Sequence, residues 1–284
     1  MTTLPAPLIR AEELLARVRA GGVCVLDTRF DLAKPEAGTE AFLGGHLPGA
    51  QYVHLDRDLS AKGGAPALCG GRHPLPTRTH FATTVARLGI TSQTPVVVYD
   101  AQGGMFAARV WWMLRWIGHG AVAVLDGGVA AWTAAGGALE TGNVEAPVPA
   151  ATYPLSAEPG RLVMTADTLQ AQLGRVTLID ARAPERFRGD IEPLDPVAGH
   201  IPGALNRPFS TNLGAESRFL PPETLRAGFA PLLGAGEVVH QCGSGVTACH
   251  NLLAMEVAGL PAGALYAGSW SEWCRDGRRP VARG

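Results

Sequence analysis

Four blocks of this chain occur twice, in the same order. "VCVLDTRF" (23–30) returns as "VTLIDARA" (176–183), and "GGHLPGA" (44–50) returns as "AGHIPGA" (198–204). "PVVVYDAQGG" (95–104) returns as "EVVHQCGSG" (237–245), and "VAVLDGGVAAW" (122–132) as "GALYAGSWSEW" (263–273). Matched blocks in one order mean duplication, so the two halves must share one fold. The spacing is 153 residues for Asp27 and Asp180, 154 for His46 and His200, 142 for Asp100 and Cys242, and 141 for Trp132 and Trp273. The fall of about 12 places extra residues in the first half, between Gln51 and Pro95. That insertion contains "DRDLSAKGGAPALCGGRHPLP".

Each half alternates two periodicities. "CVLD", "PVVVYD" and "AVAVLDG" are short, apolar on successive positions and end in Asp or Gly. "HFATTVARLG" and "MFAARVWWMLRWIG" carry apolar residues at helical spacing. Strands without polar alternation, separated by helices, are covered on both faces. The fold class predicted is α/β, with two domains that each hold a mostly parallel sheet with helices on both faces. The domains are expected at 1–140 and 161–284. Between them "TGNVEAPVPAATYPLSAEPG" (141–160), with four prolines and little periodicity, reads as a linker.

The bulk numbers narrow the function classes. Of 284 residues 46% are hydrophobic and 17% charged, which supports a core. Net charge is −1 with no long basic run, so nucleic acid and acidic membranes are not expected partners. No apolar run approaches the roughly 18 residues of a spanning helix. The N-terminal "MTTLPAPLIRAEELLARVRA" lacks the basic start and long apolar stretch of a secretory signal. Five scattered cysteines (24, 69, 242, 249 and 274) do not suggest a disulfide framework and fit reduced thiols in a cytoplasm. The eight histidines form no metal-ligand spacing, so no metal and no cofactor are expected.

The sharpest question is Cys242 in "EVVHQCGSGVTACHN". "GSGVTA" fits a dinucleotide-binding turn, but the following strand region, "PAGALYAG", offers no acid for the ribose. A cysteine phosphatase needs an Arg six residues after its Cys to grip phosphate. Here that residue is Ala248. Two readings stay open. One is a buried Cys at a tight strand-to-helix corner. The other is a loop whose backbone N–H groups and helix N-terminus turn toward the sulfur and favour an anion there, thiolate or persulfide.

The chain resembles the tandem-domain rhodanese-type sulfurtransferases in "HLPGA"/"HIPGA", "YDAQGG…RVWWMLRWIGH", "LDGGVAAW", "YAGSWSEW" and "CGSGVTA". The resemblance implies that Cys242 is the nucleophile and that the first domain, with Asp100 at the matching place, is non-catalytic. "CGSGVT" is similar to the loop of mercaptopyruvate-using members, whereas thiosulfate-using members place cations after the Cys. It further implies a proton-handling set of Ser244, His73 and Asp58, with the insertion supplying the last two. Arg186 in "DARAPERFRG" matches the substrate arginine, and Gly243, Gly245, Val246 and Thr247 would line the donor. Leu194 stands where a second substrate arginine usually falls. The partners implied are a small sulfur donor and an acceptor: cyanide, a small thiol or reduced thioredoxin. Thiosulfate as donor, or a persulfide carrier without small-donor turnover, are the alternatives. Arg182, His46 and His200 are expected to be structural. Trp111, Trp112 and Trp116 are expected as core or interface packing, Cys249 as buried, and Cys69 as an accessible thiol near His73.

Overall fold

The computed structural model describes residues 4, 7–261 and 263–284. The expectation of no secretory signal therefore rests partly on residues 1–3, 5 and 6, which lie outside the described residues. The chain divides into two compact units. The first contains the described residues up to Pro66, then Pro76–Gly160 and Gly214–Phe219; the second contains Ala67–Leu75, Arg161–Leu213 and Leu220–Gly284. Part of the insertion, 67–75, thus belongs with the second unit although it is encoded in the first repeat. Residues 141–160, expected as a linker, belong to the first unit. There the Ala150 amide donates to Ala86 O, the Gly160 amide to Trp116 O, and Arg78 Nη2 to Ser156 O.

The first unit runs β1 (Leu8–Ile9), α1 (Ala11–Ala20), β2 (Cys24–Asp27), α2 (Ala37–Gly44), β3 (Gln51–Tyr52), α3 (Leu55–Asp58), α4 (Arg78–Arg87), β4 (Val96–Tyr99), α5 (Ala107–Trp116), β5 (Val122–Leu125) and α6 (Gly128–Ala134). Its strands lie in the order β1-β5-β4-β2-β3, and every pair is parallel. Val96, Val97, Val98 and Tyr99 are fully buried in succession, so both faces of the central strand are covered. Trp111, Trp112 and Trp116 of α5 are buried, and the last two rings stack at 5.7 Å.

The second unit runs α7 (Ala166–Ala171), β6 (Thr177–Asp180), α8 (Pro184–Arg188), β7 (Leu205–Asn206), α9 (Pro222–Phe229), β8 (Val238–Gln241), α10 (Thr247–Val257), β9 (Ala264–Leu265) and α11 (Ser269–Trp273). Its sheet, β7-β6-β8-β9, is likewise parallel throughout. A parallel bridge between Val163 and Leu265 stands where β1 pairs with β5 in the first unit.

The matched sequence blocks mark matched physics. Asp27 at the end of β2 binds Arg29 (2.6 Å), whose Nη2 also donates to Gly45 O. Asp180 at the end of β6 binds Arg182 (2.7 Å), whose Nη2 donates to Gly199 O. Arg182 is therefore a structural ion-pair partner. His46 stacks on Phe42 at 4.0 Å with Nδ1 at Phe42 O, and His200 stacks on Phe187 at 3.9 Å with Nδ1 at Phe187 O. Each His also forms an antiparallel bridge with a distant segment, Glu140 and Ala282 respectively. Both histidines brace the fold.

His240, in the middle of β8, is completely buried. Burial, reinforced by Arg207, pulls its pKa down to about 3. The folded ring stays neutral where the unfolded ring, with an ordinary value near ~6.5, takes up a proton. Its share of stability is therefore intact above about pH 6.5 and is lost as pH falls toward 3. Thermal unfolding midpoints measured from pH 7.5 to 4.5 should fall with acid. For His240→Leu that slope should be shallower by the equivalent of about one proton; an unchanged slope would refute the assignment.

Candidate active site

Cys242 follows β8 directly, and its side chain is buried. The loop 242–246 then leads into α10, whose first residue is Thr247. Gly245 has φ +75°, a left-handed conformation open to glycine, and a Cβ there would strike Ala267 O. Three contacts fix the loop from α11. The Trp270 amide donates to Cys242 O (3.0 Å), and the Ser271 amide donates to Gly243 O (2.9 Å). The Cys242 amide donates to Ser269 Oγ (3.1 Å), and that hydroxyl donates to Tyr266 O. Behind the loop, buried Cys249 directs its thiol at Gly245 O (3.3 Å).

Ser269 has φ +55°, a conformation that costs a non-glycine residue about 1–2 kcal/mol. The first repeat has Gly128 at the matching place, with φ +56°. A serine is kept here in a glycine's conformation, and its hydroxyl occupies the Cys242 amide. The sequence signal was available in the mismatch of "GGV" and "GSW" within an otherwise matched block.

Segment 67–75 brings His73 to the loop. His73 is buried, and its Nδ1 lies 2.7 Å from Ser244 Oγ. The segment closes on itself, with the Leu68 amide donating to Leu75 O and the Leu75 amide to Cys69 Sγ. Cys69 is half-buried. Asp58 belongs to the other unit. There it caps α3: Oδ2 accepts the His54 amide (2.7 Å), and Oδ1 pairs with Arg87.

Arg186 projects from α8. It binds Glu192 at 2.7 Å and Asp195 at 3.4 Å. A second guanidinium joins it, from a residue that the sequence reading passed over. Arg72 Nη1 donates to Asp195 Oδ1 at 2.7 Å. A Cβ placed on Gly243 would lie 3.0 Å from Arg72 Nη2 and 3.4 Å from Arg186 Nη1. Two arginines thus converge on the residue next to Cys242, bridged by one buried carboxylate. Burial pushes the Asp195 carboxyl up, and Arg72 opposes that shift. Leu194, by contrast, is exposed. Arg72 could be found only through its partner, because Asp195 lies 123 positions away in the chain.

The first repeat shows what this loop design selects at the strand end. Asp100 occupies the place of Cys242. Its Oδ1 accepts the amides of Gln102 and Gly104, and its Oδ2 those of Phe106 and Ala107, all at 2.8–3.0 Å. A buried anion ringed by four amides is the resident solution in one half.

Two parallel α/β units built on one repeat, each with a strand-end loop leading into a helix, define a duplicated α/β class of protein. The rhodanese-like domain matches this chain twice, over residues 10–135 and 165–276, so the chain belongs to the rhodanese family of sulfurtransferases as a two-domain member. A Pseudomonas aeruginosa protein bearing a 3-mercaptopyruvate sulfurtransferase name is 49% identical, over 98% of this chain and 99% of its own. A Mycobacterium tuberculosis protein bearing a thiosulfate sulfurtransferase name is 46% identical, over 98% and 97%. The solved structure of the Escherichia coli 3-mercaptopyruvate enzyme superposes with a TM-score of 0.77 at 31% identity, covering 94% of this chain and all of that one.

Gly243 provides a direct test of the paired guanidiniums. Gly243→Ala should fold, because the long arginine ends can move aside. It should raise the KM for an anionic sulfur donor about tenfold by displacing both. Steady-state kinetics beside a thermal melt would check this; an unchanged KM would refute the arrangement.

Proposed function

We propose that the protein moves the sulfur of 3-mercaptopyruvate to a thiol or cyanide acceptor through a persulfide on Cys242, releasing pyruvate. The single observation that carries the choice of donor is the 2.7 Å contact between His73 and Ser244 beside Cys242. A carbon-bound sulfur leaves behind an enolate that needs a proton, and a Ser–His pair can deliver one. Thiosulfate releases sulfite and makes no such demand. The names of the relatives from Pseudomonas aeruginosa and human, the latter 37% identical over 92% of this chain, agree with the reading.

The steps follow from that arrangement. The Cys242 thiolate attacks the donor sulfur. A sulfur–sulfur bond forms, and the carbon–sulfur bond breaks with its electron pair moving to carbon. Ser244, relayed by His73, protonates the enolate to pyruvate. Asp58 is the third member of the set by family resemblance, with its carboxylate at the His54 amide and Arg87. Gly243, Gly245, Val246 and Thr247 supply the loop around the sulfur, whose persulfide takes the place that the Asp100 carboxylate fills in the first repeat. Arg186 and Arg72 hold the keto acid's carboxylate, since guanidinium forks match carboxylates. Two acids, Glu192 and Asp195, already bind these cations, which suits a singly charged donor better than a dianion.

In the second half-reaction an acceptor thiolate or cyanide attacks the outer sulfur and expels the Cys242 thiolate. With a dithiol protein such as reduced thioredoxin, the second thiol then displaces hydrosulfide and a disulfide forms. We place the enzyme in a cytoplasm, where reduced thiols persist; the five cysteines are thiols rather than disulfides, and among the described residues no helix is long and apolar enough to cross a membrane.

The Mycobacterium tuberculosis relative favours thiosulfate as the second reading. Sulfur transfer to cyanide, measured with each donor for wild type and Cys242→Ala, decides between them. We expect kcat/KM to favour mercaptopyruvate at least tenfold, with all turnover lost in the variant. A preference for thiosulfate would overturn the donor assignment. Absence of Cys242-dependent turnover with either donor would point to a persulfide carrier. Asp58→Asn keeps an acceptor for the His54 amide while removing the charge. It should lower kcat for mercaptopyruvate about tenfold, and unchanged kcat would remove Asp58 from the set.

A further inference from the structure

Segment 67–75 carries both His73 and Arg72, yet it comes from the first repeat's insertion. Beside the side-chain contacts to Asp195 and Ser244, two of its backbone amides are held by α11. Glu272 Oε1 accepts the Gly70 amide at 2.6 Å, and Ser271 Oγ accepts the Arg72 amide at 2.9 Å. The fit is close. Gly71 has φ +91°, and a Cβ there would come within 2.6 Å of Ser271 Oγ and 2.8 Å of Gly268 O. Gly70 packs directly against the Glu272 side chain.

The repeat supplies an internal control. Positions 271 and 272 match Ala130 and Ala131 of the first repeat, within a block where Trp132 and Trp273 are retained. Both repeats fold a helix here, α6 and α11, so neither Ser271 nor Glu272 is needed for the helix itself. The polar pair is present only in the unit that receives the inserted segment. Both side chains accept amides of that segment.

We propose that Glu272 and Ser271 are positioning residues: by holding the Gly70 and Arg72 amides they set His73 against Ser244 and the Arg72 guanidinium against Gly243. Neither touches the donor. They act through segment 67–75, and they couple it to the loop because the Ser271 amide is itself bonded to Gly243 O. The inference rests on the proposed function for its catalytic reading, but its geometric part can be read without turnover.

The test compares Glu272→Gln, which keeps a neutral acceptor, with Glu272→Ala and with Ser271→Ala/Glu272→Ala, which reproduces the first repeat's residues. Two readouts are taken beside thermal melts. One is steady-state transfer from mercaptopyruvate. The other is the ratio of Cys242 alkylation rates with iodoacetate and iodoacetamide, which reports the positive potential of Arg72 and Arg186 at the sulfur. The double variant should melt near wild type. Its kcat/KM should fall at least tenfold, and its iodoacetate-to-iodoacetamide ratio at least threefold. Glu272→Gln should stay within threefold on both counts. Because Gln and Ala are both neutral, their difference isolates the held amide from the lost charge.

Unchanged rates and ratio in the double variant would overturn the proposal. So would an equal loss of both alkylation rates with a lowered melt, which would mark a general role in the fold. If wild type does not turn over mercaptopyruvate, the proposed function falls, and the alkylation ratio still decides whether Glu272 and Ser271 position the segment.

Discussion

The second unit's chemistry hangs on two backbone hydrogen bonds from the start of α11 to the loop after β8. The carbonyls of Cys242 and Gly243 are buried at a strand end, where an unpaired acceptor would cost about 1–3 kcal/mol. The amides of Trp270 and Ser271 satisfy them. The first repeat uses the same device, with the Val129 amide on Asp100 O. A parallel sheet with short strands leaves its strand ends ragged, and the helix three elements later closes them. What differs between the halves is what α11 does with its side chains once its backbone is committed. Ser269 takes the Cys242 amide, Ser271 takes Arg72, and Glu272 takes Gly70. One five-residue helix therefore sets the nucleophile loop and the segment that faces it.

The two repeats also show one backbone design resolved in two ways. In the first, an Asp carboxylate accepts four amides and the loop is filled by its own anion. In the second, the strand-end residue is Cys242, and on the proposed function its persulfide takes the place of that carboxylate. The duplicated design carries Asp100 at the strand end of one half and Cys242 at that of the other.

Much of this was legible in the sequence where it repeated. Asp27 and Asp180 recur with the arginines they bind, and His46 and His200 recur in one block, although their partners Phe42 and Phe187 lie outside it, 4 and 13 residues upstream. Cys242, Ser244 and Arg186 sit in short motifs whose geometry is local: a strand end, a loop and a helix turn. Arg72 was not legible, because its meaning comes from Asp195 and Gly243, which only folding brings near. Glu272 and Ser271 were hidden for the opposite reason. They lie inside a matched block, and only their departure from Ala130 and Ala131 carried information. The membership of segment 67–75 was invisible too, since an insertion in sequence does not say which unit will bind its amides. Asp58 was named through the resemblance, and its local geometry is that of a helix cap on His54.

Charge balance explains how such a site can hold two arginines beside a sulfur without becoming a trap for any anion. Arg72 and Arg186 face Gly243, but behind them stand Glu192 and Asp195, with side chains almost wholly buried. Each of the two guanidiniums is paired with an acid, and both reach toward Gly243. On the proposed function a donor would meet directed hydrogen-bond donors more than a strong net field, an arrangement that would favour one planar carboxylate shared by two guanidinium forks over a compact dianion that gains chiefly from net charge. Leu194 fits this scheme. A cation at that exposed position would tip the balance toward net positive charge, whereas Arg72 comes with a carboxylate partner already bound.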